Sequence, residues 1–262
     1  MEIEFYKYHG NGNDFVILNN ISGNLILSTQ QMAQICDRRF GIGADGLIFI
    51  NKSSDADFEM VYHNSDGNVG SMCGNGGRCI AAFAYSLDIV TNEMVFVAYD
   101  GKHKAIINHK LKNAKGYDVS LQMMDVEVVE ENENYYFLDT GSPHYVEFVD
   151  NVADFNVVDF GRKTRYSEKF HPKGTNANFA ELSDERVFVR TYERGVEDET
   201  LSCGTGVTAS AIAAYFKTGK TKIDIHTPGG DFKVWFKVKG NKFVDLWLNG
   251  PATEVFNGVI KI

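Results

Sequence analysis

Residues 73–87 read CGNGGRCIAAFAYSL and residues 203–217 read CGTGVTASAIAAYFK, one design written twice, with Cys203 lying 130 positions (203 less 73) after Cys73. Each stretch opens on cysteine, passes a Gly-x-Gly turn and continues apolar nearly all round, as a helix enclosed by other structure must be. Sliding the chain against itself by the same shift brings four more places into register. Gly-Asn-Asp-Phe-Val at 12–16 falls on Ser-Pro-His-Tyr-Val at 142–146, Phe40 falls on Phe170, and Gly46 on Asn176. Phe58–Asn64 (FEMVYHN) falls on Phe188–Arg194 (FVRTYER). One shared glycine or phenylalanine is a coincidence. Five agreements at one shift imply a duplicated lobe, with the functional cleft expected between the copies.

Strand-like runs are expected at 2–8, 14–18, 47–51, 57–63, 94–99, 104–110 and 117–123, and again at 135–138, 145–149, 186–192, 222–226, 231–238 and 243–248. Helical patterns are fewer: 28–38, opened by Ser28 as a cap, then 75–87 and 205–217 directly after the matched cysteines. Because helices do not alternate regularly with strands, a doubly wound parallel sheet is not expected. The expected fold is α+β: two pseudo-symmetric lobes, each a curled, mainly antiparallel sheet around a central helix. The turn signal NAKGYD at 113–118 suggests lobes of 1–115 and 116–249, with the closing segment 250–262 returning to the first.

Composition narrows the function. A net charge of −9 with no basic block argues against a nucleic-acid backbone as partner, so the substrate should be small. No apolar run approaches the roughly 20 residues of a membrane helix, and the opening MEIEFYKYHGNGNDF has no export pattern, so a cytoplasmic location is expected. Cys36, Cys73, Cys79 and Cys203 are too few and scattered for a disulfide framework. The Cys73–Cys79 spacing fits neither zinc nor a redox motif, and no metal is expected. The glycine-rich segments 9–15 and 73–79 lack the nucleotide-loop patterns.

A buried cysteine is ordinarily a small hydrophobe. Cys73 and Cys203 differ because each sits just ahead of a helix, where orphan N–H groups and the helix dipole favour negative charge and make a thiol easier to ionise. The amides of Gly74, Asn75, Gly204 and Thr205 form ready sites for a carboxylate. An amino-acid α-proton is so weakly acidic that its removal needs the charge on that carboxylate stabilised. Inversion of the carbon needs a base on one face and an acid on the other, which one rigid side chain cannot supply. The pattern is that of a cofactor-independent amino-acid epimerase. Cys79, matched by Ala209 in the repeat, reads as core.

Through HGNGNDF, GIGADG, NSDG, MCGNGGRC, GTNANF, YERGVEDET and LSCGTG, spread over nearly the whole chain, the sequence resembles the diaminopimelate epimerases. The resemblance implies interconversion of LL- and meso-diaminopimelate, for lysine and peptidoglycan synthesis, without pyridoxal phosphate, and a homodimer. Carried onto this chain, it makes Cys73 and Cys203 the acid/base pair, with His144 and Glu193 supporting them. It makes Asn13, Asn64, Asn176, Glu193 and Arg194 substrate-binding residues, with the Gly74–Asn75 and Gly204–Thr205 amides as the carboxylate cradle. The substrate's unreacting end is a second amino-acid head, which asparagines, Glu193 and Arg194 can pair. On the residues alone, His144 also reads as a turn histidine, Asn13 and Asn64 as turn formers, and Glu193–Arg194 as a solvated pair. Some members carry glutamine at the Gly46 position and asparagine at the Ser142 position, so no side-chain contact is carried over there.

Two other functions compete. One is a different isomerase on the same scaffold, proline racemase-like or phenazine-biosynthesis-like; the latter lacks the cysteine pair, and the former leaves Glu193–Arg194 without a distal head group. The other is a thiol redox or small-molecule binding protein in which Cys73 and Cys203 form a reversible disulfide.

Overall fold

The computed structural model describes residues 1–262. The first half holds β1 (Glu2–Gly10), β2 (Asn13–Asn20), α1 (Thr29–Cys36), β3 (Gly46–Asn51), β4 (Phe58–Asn64), α2 (Gly74–Ser86), β5 (Glu93–Ala98), β6 (Gly101–Lys110) and β7 (Gly116–Gln122). The second holds β8 (Val129–Glu131), β9 (Tyr135–Asp139), β10 (Pro143–Phe148), α3 (Val157–Arg165), β11 (Asn176–Leu182), β12 (Val187–Glu193), β13 (Asp198–Thr200), α4 (Gly204–Thr218), β14 (Lys222–Thr227), β15 (Gly230–Lys239) and β16 (Lys242–Lys261). The fold is α+β, as expected. Its two compact units are Met1–Leu121 with Gly250–Ile262, and Gln122–Asn249.

In the first unit the strands pair in the order β1 to β7, then the end of β16, which pairs back onto β1. That ring leaves no free edge. Helix α2 lies inside it, buried from Gly74 through Ala84, and so needs the all-round apolar sequence. The parallel pair β2–β3 is joined through α1, which covers its outer face with Met32, Ile35 and Cys36 against Val16, Leu18, Leu47 and Phe49. With both faces covered, β3 (GLIFIN) reads as an unbroken apolar run. Ser28 caps α1 in a reciprocal box with Gln31.

The second unit repeats the scheme. From β16 the order runs through β15, β14, β12, β11, β10 and β9 to β8, and a bridge between Val126, just ahead of β8, and Phe243 spans the remaining gap. Helix α4 is enclosed as α2 is. The parallel pair β10–β11 is covered by α3 as β2–β3 is by α1, and β12–β14 is parallel as β4–β5 is. The short pairing Phe58↔Phe96 recurs 130 residues later as Phe188↔His226 (188 less 58; 226 less 96).

The expected strands all appear, with ends moved by a few residues. Four of the named helices and strands have no counterpart among those expected, α3, β11 and the three-residue strands β8 and β13, and β16 runs past 248 to Lys261. Gly161 interrupts α3 because Tyr192 packs where its side chain would be: a Cβ there would lie 2.2 Å from the Tyr192 Cβ. β11 (NANFAEL) carries buried Asn176 and Asn178, which break the apolar signature of a covered strand. The unit boundary also differs from the turn at 113–118. β7 pairs with β6 and with Gly250–Thr253 of β16, so its residues to Leu121 belong to the first unit.

Candidate active site

In the first unit the site is reached through a tight hairpin. Gly10 pairs with Asn13, leaving Asn11 (φ 52°) and Gly12 (φ 87°) as a two-residue loop with both residues left-handed, the conformation Asn-Gly favours. The HGNGNDF segment is therefore a hairpin that delivers two asparagines. Asn11 is buried and its Oδ1 accepts from Arg78 Nη2 at 2.9 Å. Asn13 Nδ2 donates to Asp45 Oδ2 at 2.7 Å, which turns Oδ1 toward α2. There Oδ1 accepts from Asn75 Nδ2 at 3.2 Å and from the Cys73 thiol at 3.5 Å.

Cys73 is the N-cap residue of α2, in extended backbone (φ −115°, ψ 122°), and its side chain makes no cap bond. The first amides to bond back to the cap carbonyls are those of Gly77 in α2 and Val207 in α4. The amides of Gly74, Asn75, Gly204 and Thr205 thus stand at the positive ends of their helices. Arg78, one turn on and fully buried, ties this end together by donating also to Asn75 Oδ1 at 2.9 Å and to the Gly74 carbonyl at 3.4 Å.

Cys203 holds the matching place at α4 (φ −125°, ψ 111°), again with no side-chain cap bond, and is 8% exposed. Its Sγ lies 3.4 Å from Thr205 Oγ1, which lies 3.2 Å from Ser142 Oγ, itself 3.0 Å from His144 Nε2. Behind the ring, Asn178 Nδ2 lies 3.1 Å from His144 Nδ1 and donates to the Tyr145 carbonyl at 2.8 Å. Asn176 Nδ2 donates to Ser142 Oγ at 3.3 Å and to the Pro143 carbonyl at 3.0 Å, while its Oδ1 accepts from the Arg194 amide at 2.9 Å. Gly206 allows this packing: a Cβ there would meet Asn178 Oδ1 at 2.3 Å.

Of the residues expected at the site, Asn13, Gly74 and Asn75 gather at Cys73, and His144, Asn176, Gly204 and Thr205 at Cys203. Arg194 joins through its backbone, and its guanidinium reaches the carbonyls of Lys173 and Gly174. Glu193 accepts from Thr200 Oγ1 at 2.9 Å. Asn64 ends β4, exposed, opposite Gly46 of β3 and bonded through its backbone to Asn68 and Gly67. Sequence reasoning missed Asn11, Asp45, Arg78 and Asn178, and carried no contact over at Ser142. Two had a signal: the repeat sets Ser142 on Gly12 beside the site, and Asn178 alternates with Asn176 on one strand face. No group of three or more His, Cys, Asp or Glu side chains is arranged to hold a metal ion.

Burial, reinforced by the nearby Arg194 charge and opposed by the Asn178 hydrogen bond, pushes His144 from 6.5 down to about 3. The unfolded chain takes up this proton near 6.5 and the folded one only near 3. This contribution to stability is therefore complete above about pH 6.5 and is lost as pH falls toward 3, by up to roughly 1.4 kcal/mol per pH unit. Urea unfolding at pH 7, 6 and 5 should show the decline, and His144→Gln should flatten it across that window. Equal slopes in both proteins would mean that His144 does not titrate differently on folding.

The diaminopimelate epimerase family model matches residues 5–129 and 136–255. A diaminopimelate epimerase of Flavobacterium psychrophilum is 48% identical over 262 residues, covering 98% of this chain and 100% of the relative. One from Archaeoglobus fulgidus is 37% identical over 284 residues, covering 100% and 98%. Among solved structures, a phenazine biosynthesis protein of the PhzF family from Bacillus anthracis superposes with TM-score 0.76 at 15% identity, covering both chains completely. A hydroxyproline epimerase from Agrobacterium vitis does so with TM-score 0.68 at 15% identity, covering 99% of this chain and 92% of its own. At such identity these likenesses show the fold alone. Both cysteine-capped helix starts lie within the matched family segments, and the chain belongs to the diaminopimelate epimerase family.

Proposed function

We propose that the protein interconverts LL- and meso-diaminopimelate, with Cys73 and Cys203 as the acid and base on opposite faces of the α-carbon and with neither pyridoxal phosphate nor metal. The observation that carries this reading is the recurrence, in both units, of a cysteine as N-cap of an enclosed helix without use of its side chain as the cap. One sulfur, as thiolate, takes the α-proton while the other, as thiol, delivers its own to the opposite face, and the roles exchange with the stereoisomer bound. The negative charge that grows on the substrate carboxylate is held by the amides of Gly74, Asn75, Gly204 and Thr205 at two helix N-termini. Asn13, Asn64, Asn176, Glu193 and Arg194 bind the substrate, the charged pair matching the ammonium and carboxylate of its distal head. His144 and Glu193 support the thiols. The chemistry requires an acid and a base on opposite faces of one carbon, which is why the reading needs both cysteines. A homodimer and a cytoplasmic location complete it.

Incubation of reduced protein with LL-diaminopimelate in deuterated water, without added pyridoxal phosphate or metal, should give the meso isomer with deuterium at the inverted carbon. Absence of both exchange and inversion in well-folded protein would reject this substrate. It would turn attention to other amino acids or to a thiol redox role.

A further inference from the structure

Three amide side chains with fixed orientation, Asn13, Asn178 and Asn176, set the direction of the hydrogen bonds that lead to the two thiols. In the first unit, the Asp45 carboxylate can only accept, so Asn13 must present its NH2 to Asp45 and its oxygen to Cys73. An amide oxygen cannot donate. The 3.5 Å contact is a hydrogen bond only while Cys73 keeps its proton; a thiolate there would face a lone pair.

In the second unit the direction is reversed. The Tyr145 carbonyl fixes the Asn178 NH2, which then also faces His144 Nδ1 and makes that nitrogen the acceptor. The ring hydrogen therefore sits on Nε2 and is donated to Ser142 Oγ. Asn176, oriented by the Pro143 carbonyl and the Arg194 amide, donates to the same oxygen. Ser142 Oγ, already accepting twice, turns its hydrogen to Thr205 Oγ1, and Thr205 in turn directs its own to Cys203 Sγ. Such chains polarise cooperatively, and this one ends in a donor aimed at sulfur.

We propose that in the substrate-free protein Cys203 is the thiolate and Cys73 the thiol, and that the hydroxyls of Ser142 and Thr205 are positioning residues that hold this assignment. It rests on the reading of the two thiols as an acid–base pair. His144 enters as a neutral ring, as its complete burial requires. Charged groups on the elements that carry this chain of hydrogen bonds include Arg194, whose field reaches His144, and Glu193, bonded to Thr200. Near Cys73 are Arg78, whose cation acts in favour of a thiolate there, and Asp45, which opposes one from behind Asn13. The Arg78 bonds described above go to amide and carbonyl oxygens, whereas the Asn13 oxygen is in direct contact with the sulfur. In turnover Cys203 takes the α-proton and Cys73 gives one up. The resting state returns when Cys203 releases a proton to solvent and Cys73 takes one from it. The stereoisomer whose α-hydrogen faces Cys203 is thus the one served directly.

The test is the pH dependence of alkylation by iodoacetamide, followed at each cysteine by peptide mass spectrometry without substrate; the midpoint of each profile reports ionisation independently of access. In the wild type the Cys203 midpoint should lie at least about one pH unit below that of Cys73. Thr205→Val should raise the Cys203 midpoint by about one unit and leave Cys73 in place, Thr205→Ser should restore it, and Ser142→Ala should raise it by less. Equal midpoints, a lower one at Cys73, or a Cys203 profile indifferent to Thr205→Val would overturn the proposal, and the first two need no variant. Exchange and inversion of diaminopimelate by the same wild-type preparation separate the two claims. Turnover without the split removes this inference and keeps the epimerase; the split without turnover does the opposite.

Discussion

Alanine in place of Cys73 or Cys203 should each lower the rate of inversion at least about 10³-fold, the range in which a positioned acid or base acts. The loss should be chemical rather than structural. Alanine keeps the Cβ and the extended backbone of the cap position, and neither sulfur caps its helix. Removing one sulfur atom from a site partly open to solvent costs about 1 kcal/mol, a small share of the 5–15 kcal/mol that holds a domain together. Thermal melts should shift by only a few degrees while turnover collapses. Cys79→Ala supplies the contrast: this thiol is fully buried, burial drives its ionisation far above the physiological range, and its removal should leave turnover in place. Burial likewise pushes Cys36 up to about 12, so neither of these thiols can serve as a base near neutrality. Retention of inversion in either Cys73→Ala or Cys203→Ala would end the two-thiol reading.

The duplication was legible because physical constraints repeat with the fold. A helix enclosed by strands must be apolar all round, so 75–87 and 205–217 stood out, and the close approach at each helix start demanded the same glycines. Covered strands such as β3 read as apolar runs. The hidden parts are those where tertiary contact overrides local pattern. β11 carries Asn176 and Asn178 at buried positions because they orient Ser142 and His144, and this breaks the alternation by which a strand is recognised. α3 is only nine residues long with Gly161 in its middle, so its pattern is too short and interrupted to read. At the site, the reading named residues that gather at the two cysteines and missed several that orient them. Asp45, which turns Asn13, and Asn178, which turns His144, act through bonds between distant segments, and no spacing along the chain encodes those.

Arg78 is the extreme case, and Arg78→Met should lower folding stability by roughly 3–5 kcal/mol, the cost of leaving several buried acceptors without a donor. Its side chain is 0% exposed, yet burial pulls its ionisation down only to about 10, so it remains a cation at neutral pH. The two 2.9 Å bonds from Nη2 join the hairpin loop at Asn11 to the helix start at Asn75, and the 3.4 Å bond from Nη1 reaches the Gly74 carbonyl. Methionine fills much of the same volume but leaves these oxygens in a dry interior, each deprived of a donor at about 1–3 kcal/mol. For a chain of this size the melting temperature should fall by roughly ten degrees, at about 2–4 °C per kcal/mol. Lysine should not rescue it, because one ammonium on a shorter stem does not reproduce the guanidinium fork that spans two segments. A second effect follows in whatever protein remains folded. Asn75 loses the bond that fixes its amide, its hold on Asn13 Oδ1 slackens, and the acceptor set against the Cys73 thiol is no longer held in place. Urea unfolding tests the first effect, and the alkylation profile of Cys73 in the folded fraction tests the second. A wild-type urea midpoint in Arg78→Met would show that this buried cation contributes nothing to the fold, and that the helix start is held by packing alone.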